Sequence, residues 1–218
     1  MTTHHKLRRG SSLMGPVAYT TDAAVNMDAT AATHTYSNVS SGGPFTIIGV
    51  SYVDGSLANI NSATIDGDAL TLYDSIVVVS GVERVGCGIF GIQGSYSNVT
   101  VSIEFSTTVD DSKIYGISLQ NLESSTEIDD DAGWTNSGSS LSLSSLTGAD
   151  AEGISICMFS HAVSGSGLTW TNATEVYDSD VNATRGGMGI VLGTPAGTIS
   201  CQSAGGNAEA AICGINLR

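Results

Sequence analysis

The segment NVTVSIEF, residues 98–105, alternates apolar and polar side chains without interruption. Every second position is apolar: Val99, Val101, Ile103 and Phe105. In an extended chain successive side chains point to opposite faces, so these four would share one face. A period of two over eight residues predicts a half-buried antiparallel strand.

Similar strand-like segments recur on both sides of this one, with turn residues between them. We count about ten candidates at spacings of roughly 8–20 residues. The segments FTIIGVSYV (45–53), VGCGIFGI (85–92) and ISICMF (154–159) are apolar on both faces and are expected inside a sheet. Three polar or alanine-rich stretches are interpreted otherwise: Asp22–Ala32 as a short helix or turn, Asp110–Ser112 as a turn, and Glu127–Ser140 as a polar loop.

No segment keeps a helical period over ten residues, which argues against a parallel α/β fold because such folds need helices between strands. The sequence therefore predicts an all-β fold, an antiparallel two-sheet β-sandwich of the jelly-roll type. We expect a basic, irregular N-terminal arm over residues 1–14 and a single sandwich domain over residues 15–218.

Charge is sparse and unevenly placed. Charged residues make up 13% of the chain, about half of the usual share of roughly 25%. Lys6, Arg8 and Arg9 give the arm a charge of +3, and the remaining 4 basic and 21 acidic residues give −17, which sums to the net −14. A body this acidic should repel nucleic acid and anionic membranes, so neither is an expected partner.

The arm contains Lys6, Arg8 and Arg9, and three interpretations are open. It could contact nucleic acid, although three charges give only a weak phosphate interaction. It could dock onto an acidic groove of a partner protein or of a second copy. It could also be a terminus without a role. We favour docking, which makes these three residues the predicted partner-binding set.

Targeting signals and cysteines indicate where the chain is made. The residues after the arm are too polar for the apolar region of a signal peptide, so we expect a chain that begins near Met1 and is not exported. Its four cysteines lie in apolar, strand-like stretches: Cys87, Cys157, Cys201 and Cys213. We expect reduced core thiols, with a single cross-strand disulfide left open.

Catalytic signals are weak. The adjacent Ser160 and His161 could form a nucleophile and base, but serine is common here and no G-x-S-x-G turn is present. We expect a strand-end histidine, no catalytic residue and no cofactor. A hydrolase on a sandwich scaffold is the least favoured function.

A metal site is also weakly indicated. Asp178, Asp180 and Asn182 imitate the start of a calcium-binding loop. Ala183 then stands where the loop needs glycine, and Gly189 where it needs a bidentate acid, so an EF-hand is excluded. A looser calcium site built from several turns stays open beside the simpler interpretation, solvated turn aspartates.

Trp134 and Trp170 lie near polar turns, where an indole ring could stack on a sugar. A partly buried loop tryptophan is the alternative interpretation and the one we prefer. The two residues define the candidate glycan-binding site.

Several segments resemble, in order, a β-sandwich family of phage virion structural proteins, some of them decoration or cement proteins, that is also seen in bacterial surface proteins. They are YSNVS (36–40), FTIIGVSY (45–52), IDGDALTL (65–72), NVTVSIEFS (98–106), ISLQNL (117–122), EGISI (152–156) and AAICGINL (210–217). The resemblance runs from about Thr33 to the C-terminus. It implies a jelly-roll sandwich on a particle or cell surface, and it carries over no catalytic residue.

From the resemblance and the charge we expect a non-enzymatic virion protein assembled in the host cytoplasm, a capsid decoration (cement) protein or a related head or tail component. Its expected partner is the major capsid protein or another virion protein, and it is expected to form a homo-oligomer. The alternative function is a glycan-binding module, either lectin-like or receptor-binding.

Overall fold

A computed structural model describes residues 16–54, 58–80, 83–122, 127–135, 140–144, 146, 151–163, 167–181, 184–204 and 209–218. Regular structure in these residues is almost entirely extended. The strands are β1 (Ala18–Ser41), β2 (Phe45–Asp54), β3 (Ile60–Ile65), β4 (Asp68–Ala69), β5 (Thr71–Ser80), β6 (Glu83–Gln93), β7 (Tyr96–Gln120), β8 (Glu127–Thr135), β9 (Ser140–Leu143), β10 (Ile154–His161), β11 (Leu168–Thr171), β12 (Thr174–Val181), β13 (Thr184–Leu192), β14 (Ile199–Ser203) and β15 (Ala210–Leu217).

The long strand β7 organises the first sheet, sheet A. Its strand order is β4-β3-β7-β2-β6-β5, and β1 pairs with β7 on the other side. The first half of β7 pairs with β3 and the second half with β2, while β1 follows β7 along most of its length. All these pairs are antiparallel. The segment from which the strand prediction started, residues 98–105, lies in β7 with Val101, Ile103 and Phe105 buried and Glu104 exposed, so that prediction is confirmed.

Sheet A bends where β7 changes partner. The register between β1 and β7 shifts between the pairs Ala31/Val109 and Thr33/Glu104, and the sheet turns over its own face there. The enclosed apolar cluster is core 2. Its buried residues come from both halves of the sheet and include Tyr36, Ile48, Tyr52, Ile65, Phe90, Val101, Ile103 and Phe105.

Two further sheets follow as successive layers on the opposite face of sheet A. Sheet B has the order β12-β13-β10-β15-β8 and packs against sheet A over core 1, which includes Ile47, Ile89, Ile117, Ile156, Met188 and Ile215. Sheet C, β11-β14-β9, covers the other face of sheet B over core 3, which includes Leu143, Phe159, Ile199 and Ile212. The strands β10 and β15 are buried on both faces, as predicted for the segment 154–159. Burying one such aliphatic or aromatic side chain stabilises a fold by roughly 1.5–3 kcal/mol.

The antiparallel all-β, sandwich-like fold is therefore confirmed. The described residues form more strands than the ten expected, and their backbone hydrogen bonds group them into three sheets. The additional strands lie partly in segments that were not expected to be extended, such as β8, whereas the 25-residue β7 runs through a predicted turn and so reduces the number. Short strands around residues 140–143, 168–171 and 199–203 make up the third sheet. The arm at residues 1–14 lies outside the described residues.

The helix or turn expected at Asp22–Ala32 is wrong. These residues belong to β1 and pair with the second half of β7, from Ala24↔Tyr115 to Ala31↔Val109. Helix propensity amounts to less than about 1 kcal/mol per residue, so a hydrogen-bonded neighbouring strand readily overrides it. Val25 and Met27, two positions apart, both pack against core 2. This period of two is that of a strand, but the surrounding alanines make it hard to recognise in the sequence.

Two expected non-strand segments are also wrong. The residues Asp110–Ser112 do not turn the chain but continue β7, where Asp111 and Ser112 are buried and are paired with β1 on one side and β2 on the other. The segment Glu127–Ser140 is not a loop throughout: Glu127–Thr135 is β8, paired with β15 at the edge of sheet B. A run of aspartates suits an edge strand, since charge discourages pairing with another chain.

Candidate functional site

A groove opens where the start of β1 meets β12 and the end of β13. Its volume is about 410 Å³, within the range typical of small-molecule sites. Ile190 forms a buried part of the wall, and Leu192 is 54% exposed at the rim. The lining residues are Tyr19, Asn172, Ala173, Thr174, Ile190, Val191 and Leu192.

The groove presents the phenol of Tyr19, the amide of Asn172 and the hydroxyl of Thr174 beside aliphatic side chains. Asn172 adopts a left-handed backbone conformation, with φ at 58°, and its Nδ2 donates to the carbonyl of Thr198 at 2.9 Å. That bond fixes the amide and leaves its oxygen as an acceptor. The lining includes no carboxylate or cation, so this surface is suited to a neutral ligand of mixed polarity.

The two candidate tryptophans lie apart from each other. Trp170, on β11, packs on the backbone of Gly189, where an added Cβ would come within 2.6 Å of the indole. Its ring is half-buried against core 3 and does not line the groove. Trp134 lies on β8, paired with Ala211, and its side chain is outside the described residues. Between β13 and β8 run the two strands β10 and β15, so the structure does not bring the pair together.

The acidic residues of the calcium-like segment face an arginine. Arg185 donates from Nε to one carboxylate oxygen of Asp178 at 2.7 Å and from Nη2 to the other at 2.5 Å. Its Nη1 donates to Asp180 at 2.9 Å, and the amide of Leu168 donates to Asp178 at 3.1 Å. Asn182 lies outside the described residues. In the part of the chain that the structure describes, no three His, Cys, Asp or Glu side chains converge as metal ligands would.

A buried lysine lies beside this ion pair. Lys113, on β7, is fully buried and its Nζ donates to the carbonyls of Ser179 at 2.5 Å and Thr184 at 2.6 Å. Burial lowers the pKa of Lys113 to about 8, against the opposing effect of the Asp180 carboxylate. The ammonium thus joins sheet A to residues near both ends of the β12–β13 connection.

A second buried network lies on the opposite face of β7. The Nε2 of His34 is 3.1 Å from the carbonyl of Val109, which can only accept, so Nε2 carries a proton. In the neutral ring Nδ1 is then an acceptor, and the Ser112 hydroxyl donates to it. The Tyr36 hydroxyl bonds Ser112 as well. All three side chains are at most 1% exposed, so this serine–histidine pair is closed to solvent.

The Ser160 and His161 side chains do not form a pair. Ser160 donates to the carbonyl of Tyr52 at 3.3 Å, towards sheet A. His161 lies on the other face of β10, stacked on Phe159 with ring centroids 6.2 Å apart, and its Nδ1 contacts the backbone of Val163. Both are buried. Alternation along a strand sends adjacent side chains to opposite faces, which explains the separation.

Sequence reasoning missed both buried networks. Asp111 and Ser112 were interpreted as part of a turn, and Lys113 and His34 were given no role. His34 and Ser112 are 78 positions apart and are paired with Ile103 and Met27 in the β1–β7 register, so only the curl of sheet A brings them together. The alternation of His34 and Tyr36 on one face of an extended segment was the available signal. Lys6, Arg8 and Arg9 lie outside the described residues.

Comparison with known proteins finds no matching family model, no matching curated protein and no matching solved structure. Among the described residues, no helix has the length and apolar character needed to cross a membrane.

Proposed function

We propose that this chain is a non-enzymatic virion structural protein, a capsid decoration (cement) protein or a related head or tail component of a phage. The observation that carries the proposal is the burial of the side chains with reactive chemistry. The pair of His34 and Ser112, the separate side chains of Ser160 and His161, and Lys113 with its carbonyl partners all lie inside the sheets. Such groups cannot meet a substrate where they are, but they can fix the sheets relative to one another.

The stacking of the sheets is consistent with a protein that keeps its shape under load. Core 1 and core 3 cover both faces of sheet B, and core 2 fills the curl of sheet A. The Lys113 ammonium and the Tyr177 hydroxyl, which donates to Gly116 at 2.9 Å, bridge sheets A and B. A shell component needs this rigidity, because binding energy is lost when the binding surface must first be ordered.

The assignment to a virion is supported by the resemblance of the segments between residues 36 and 217 to phage virion proteins. The charge pattern supports it as well. In the proposed mechanism the arm, through Lys6, Arg8 and Arg9, and one sandwich edge bind the major capsid protein or another virion protein. Symmetric copies of the chain occupy equivalent positions, as closed homo-oligomers do.

The proposal is tested on particles purified from the cells that make this chain. We expect mass spectrometry to find the chain in intact particles and gold-labelled antibody to mark it at regular positions. Recovery of the chain only outside particles would refute the proposal.

The role of the arm in binding is tested with recombinant protein added to particles that lack the chain. Replacing Lys6, Arg8 and Arg9 by glutamine should weaken binding at least tenfold, since three charge-assisted contacts are lost. A matched control replaces three exposed threonines, Thr20, Thr71 and Thr169, by serine and should bind normally. Equal binding of both variants would remove the arm from the mechanism.

A second candidate function, a glycan-binding module, is favoured by the groove at Tyr19 and Leu192. Its single aromatic ring beside an amide and a hydroxyl is the combination that sugars use for stacking and hydrogen bonding. A glycan array, run with and without calcium, tests it. Hits that vanish in a Tyr19→Ser variant and persist in Trp134→Phe and Trp170→Phe variants would place the site in the groove. Loss of the hits in the tryptophan variants would instead place the glycan site at Trp134 or Trp170. An array without any hits would reject this function.

A further inference from the structure

Two of the four cysteines face each other across the interface between sheets A and B. Cys87 lies on β6 and Cys213 on β15, and their Sγ atoms are 3.2 Å apart although 126 positions separate them in sequence. Both residues have no exposed surface. The Cys87 thiol also points towards the carbonyl of Met158 at 3.6 Å. The two sulfurs are therefore direct neighbours in the middle of core 1.

Strands β6 and β15 approach each other closely at this interface. Stacked sheets usually lie about 10 Å apart, whereas Cα atoms of β6 and β15 come within 8 Å of each other. A disulfide bond is about 2.05 Å long, so the sulfurs need to move about 1 Å closer.

The other two cysteines have different surroundings. Cys157, on β10, and Cys201, on β14, both belong to core 3, on the far side of sheet B. Cys213 belongs to core 1. Cys87 is thus the one that lies in direct contact with Cys213 in the described structure.

We propose that Cys87 and Cys213 form a disulfide that links sheet A to sheet B when the chain folds in the presence of a small-molecule disulfide such as oxidised glutathione. A thiolate of one cysteine attacks the glutathione disulfide, forms a mixed disulfide and releases one glutathione. The second cysteine thiolate then attacks the mixed disulfide and releases the other glutathione. Two protein thiols lose two electrons and two protons, and one disulfide molecule is reduced to two thiols.

The reaction belongs to folding rather than to the finished fold. Burial raises the pKa of the Cys213 thiol well above its ordinary value, and a buried neutral thiol is a poor nucleophile. Before core 1 closes, both thiols are accessible to the oxidant. Afterwards the same burial shields the disulfide from reductants. The proposal is independent of the proposed function, because it is tested on the isolated chain.

The test compares the full chain refolded with oxidised glutathione and with a reducing agent. We expect the first sample to be lighter by two hydrogen atoms and to have two of its four cysteines protected from alkylation in denaturant. Its melting temperature should be higher by about 5–10 °C, because the link constrains the unfolded chain. The reduced sample should keep four reactive thiols.

Peptide mapping identifies the pair. Trypsin cleaves after Arg84, Lys113 and Arg185, which puts Cys87 in peptide 85–113 and Cys157 in peptide 114–185. Cys201 and Cys213 share peptide 186–218, so the map is run on a Cys201→Ala variant as well as on the natural chain. We expect peptides 85–113 and 186–218 to be joined in both proteins without reduction, and peptide 114–185 to be free.

Single Cys87→Ala and Cys213→Ala variants should lose both the link and the oxidant-dependent rise in melting temperature. The Cys201→Ala control should keep both. Four alkylated cysteines after oxidative refolding, or a link that includes peptide 114–185, would overturn the proposal. If the Cys201→Ala variant fails to fold, fragmentation of the linked peptide 186–218 from the natural chain between residues 201 and 213 identifies which of its two cysteines is joined.

Discussion

The Nζ atom of Lys113 lies 2.6 Å from the carbonyl oxygen of Thr184, so a fully buried lysine of sheet A holds the end of a hairpin in sheet B. The Ser179 carbonyl accepts a second bond at 2.5 Å. A charge inside a protein is costly unless such partners compensate it. The pKa of Lys113 is lowered to about 8 from 10.5, which reflects the part of the desolvation cost that its partners do not compensate.

The first prediction is a pH dependence that belongs to Lys113. Between about pH 8 and 10.5 the unfolded chain holds a proton on this lysine that the folded chain has released, so the free energy of unfolding should rise with pH. Other groups titrate in the same interval. Their contribution to the pH dependence cancels when the natural chain is compared with a Lys113→Met variant. Relative to that variant, we expect the natural chain to gain about 2 kcal/mol from pH 7 to pH 10.5 in urea unfolding. A difference that stays constant with pH would contradict this origin.

The second prediction concerns Arg185 and its two aspartates. The Asp178 side chain is 17% exposed and accepts hydrogen bonds from both Nε and Nη2 of the guanidinium. The Asp180 side chain is 41% exposed and accepts one hydrogen bond, from Nη1. We expect Asp178→Asn to cost about 2 kcal/mol of stability, because it leaves a nearly buried cation without its main partner. The matched Asp180→Asn change should cost about 0–1 kcal/mol. Chemical unfolding of both variants measures the difference, and equal costs would refute the distinction.

A third prediction follows for calcium. The oxygens of Asp178 that would hold a metal ion already accept bonds from Arg185 and from the amide of Leu168. We therefore expect the same melting temperature in excess calcium and in excess chelator. An upward shift with calcium would show that a site exists after all. It would be assigned to this segment only if Asp178→Asn abolished it.

Strands were predicted best where apolar residues are buried, polar residues are exposed and the two alternate. In residues 98–105 alternation and burial agree, and β7 contains the strand as expected. Lys113 violates the rule, since a lysine in a polar triplet is normally exposed, and its burial depends on carbonyls from residues 66 and 71 positions away. The same holds for His34. Long-range pairing decides such residues, so the curl of sheet A and its polar interior could not be predicted from local pattern.

A fourth prediction concerns packing at the cross-strand pair of Tyr52 and Gly86. The Tyr52 ring lies over Gly86, where a Cβ would overlap it, and its hydroxyl donates to the carbonyl of Ala58 at 3.1 Å. Because Tyr52 is fully buried, its ring cannot move aside freely. We expect Gly86→Ala to cost about 1–3 kcal/mol in chemical unfolding. Gly42→Ala is the control, since no atom lies within 4 Å of its Cβ position, and it should change stability by less than about 0.5 kcal/mol.

The fifth prediction separates the members of the network around Ser112. Its hydroxyl donates to His34 and is bonded by Tyr36, so it occupies the centre of a chain of three buried polar groups. Ser112→Ala removes the shared partner of both neighbours and should cost about 2–3 kcal/mol in urea unfolding. Tyr36→Phe removes only one end of the chain and should cost about 1 kcal/mol.

Ser102→Ala provides the control on the same strand, because Ser102 has only a 3.4 Å contact with Thr35 and should change stability by less than about 0.5 kcal/mol. If Tyr36→Phe cost as much as Ser112→Ala, the serine would not be the centre of the network. If neither variant differed from Ser102→Ala, water would have to replace the lost partners. That outcome would mean that the interior of the curl is accessible to solvent, which would reopen the serine–histidine pair as a reactive site.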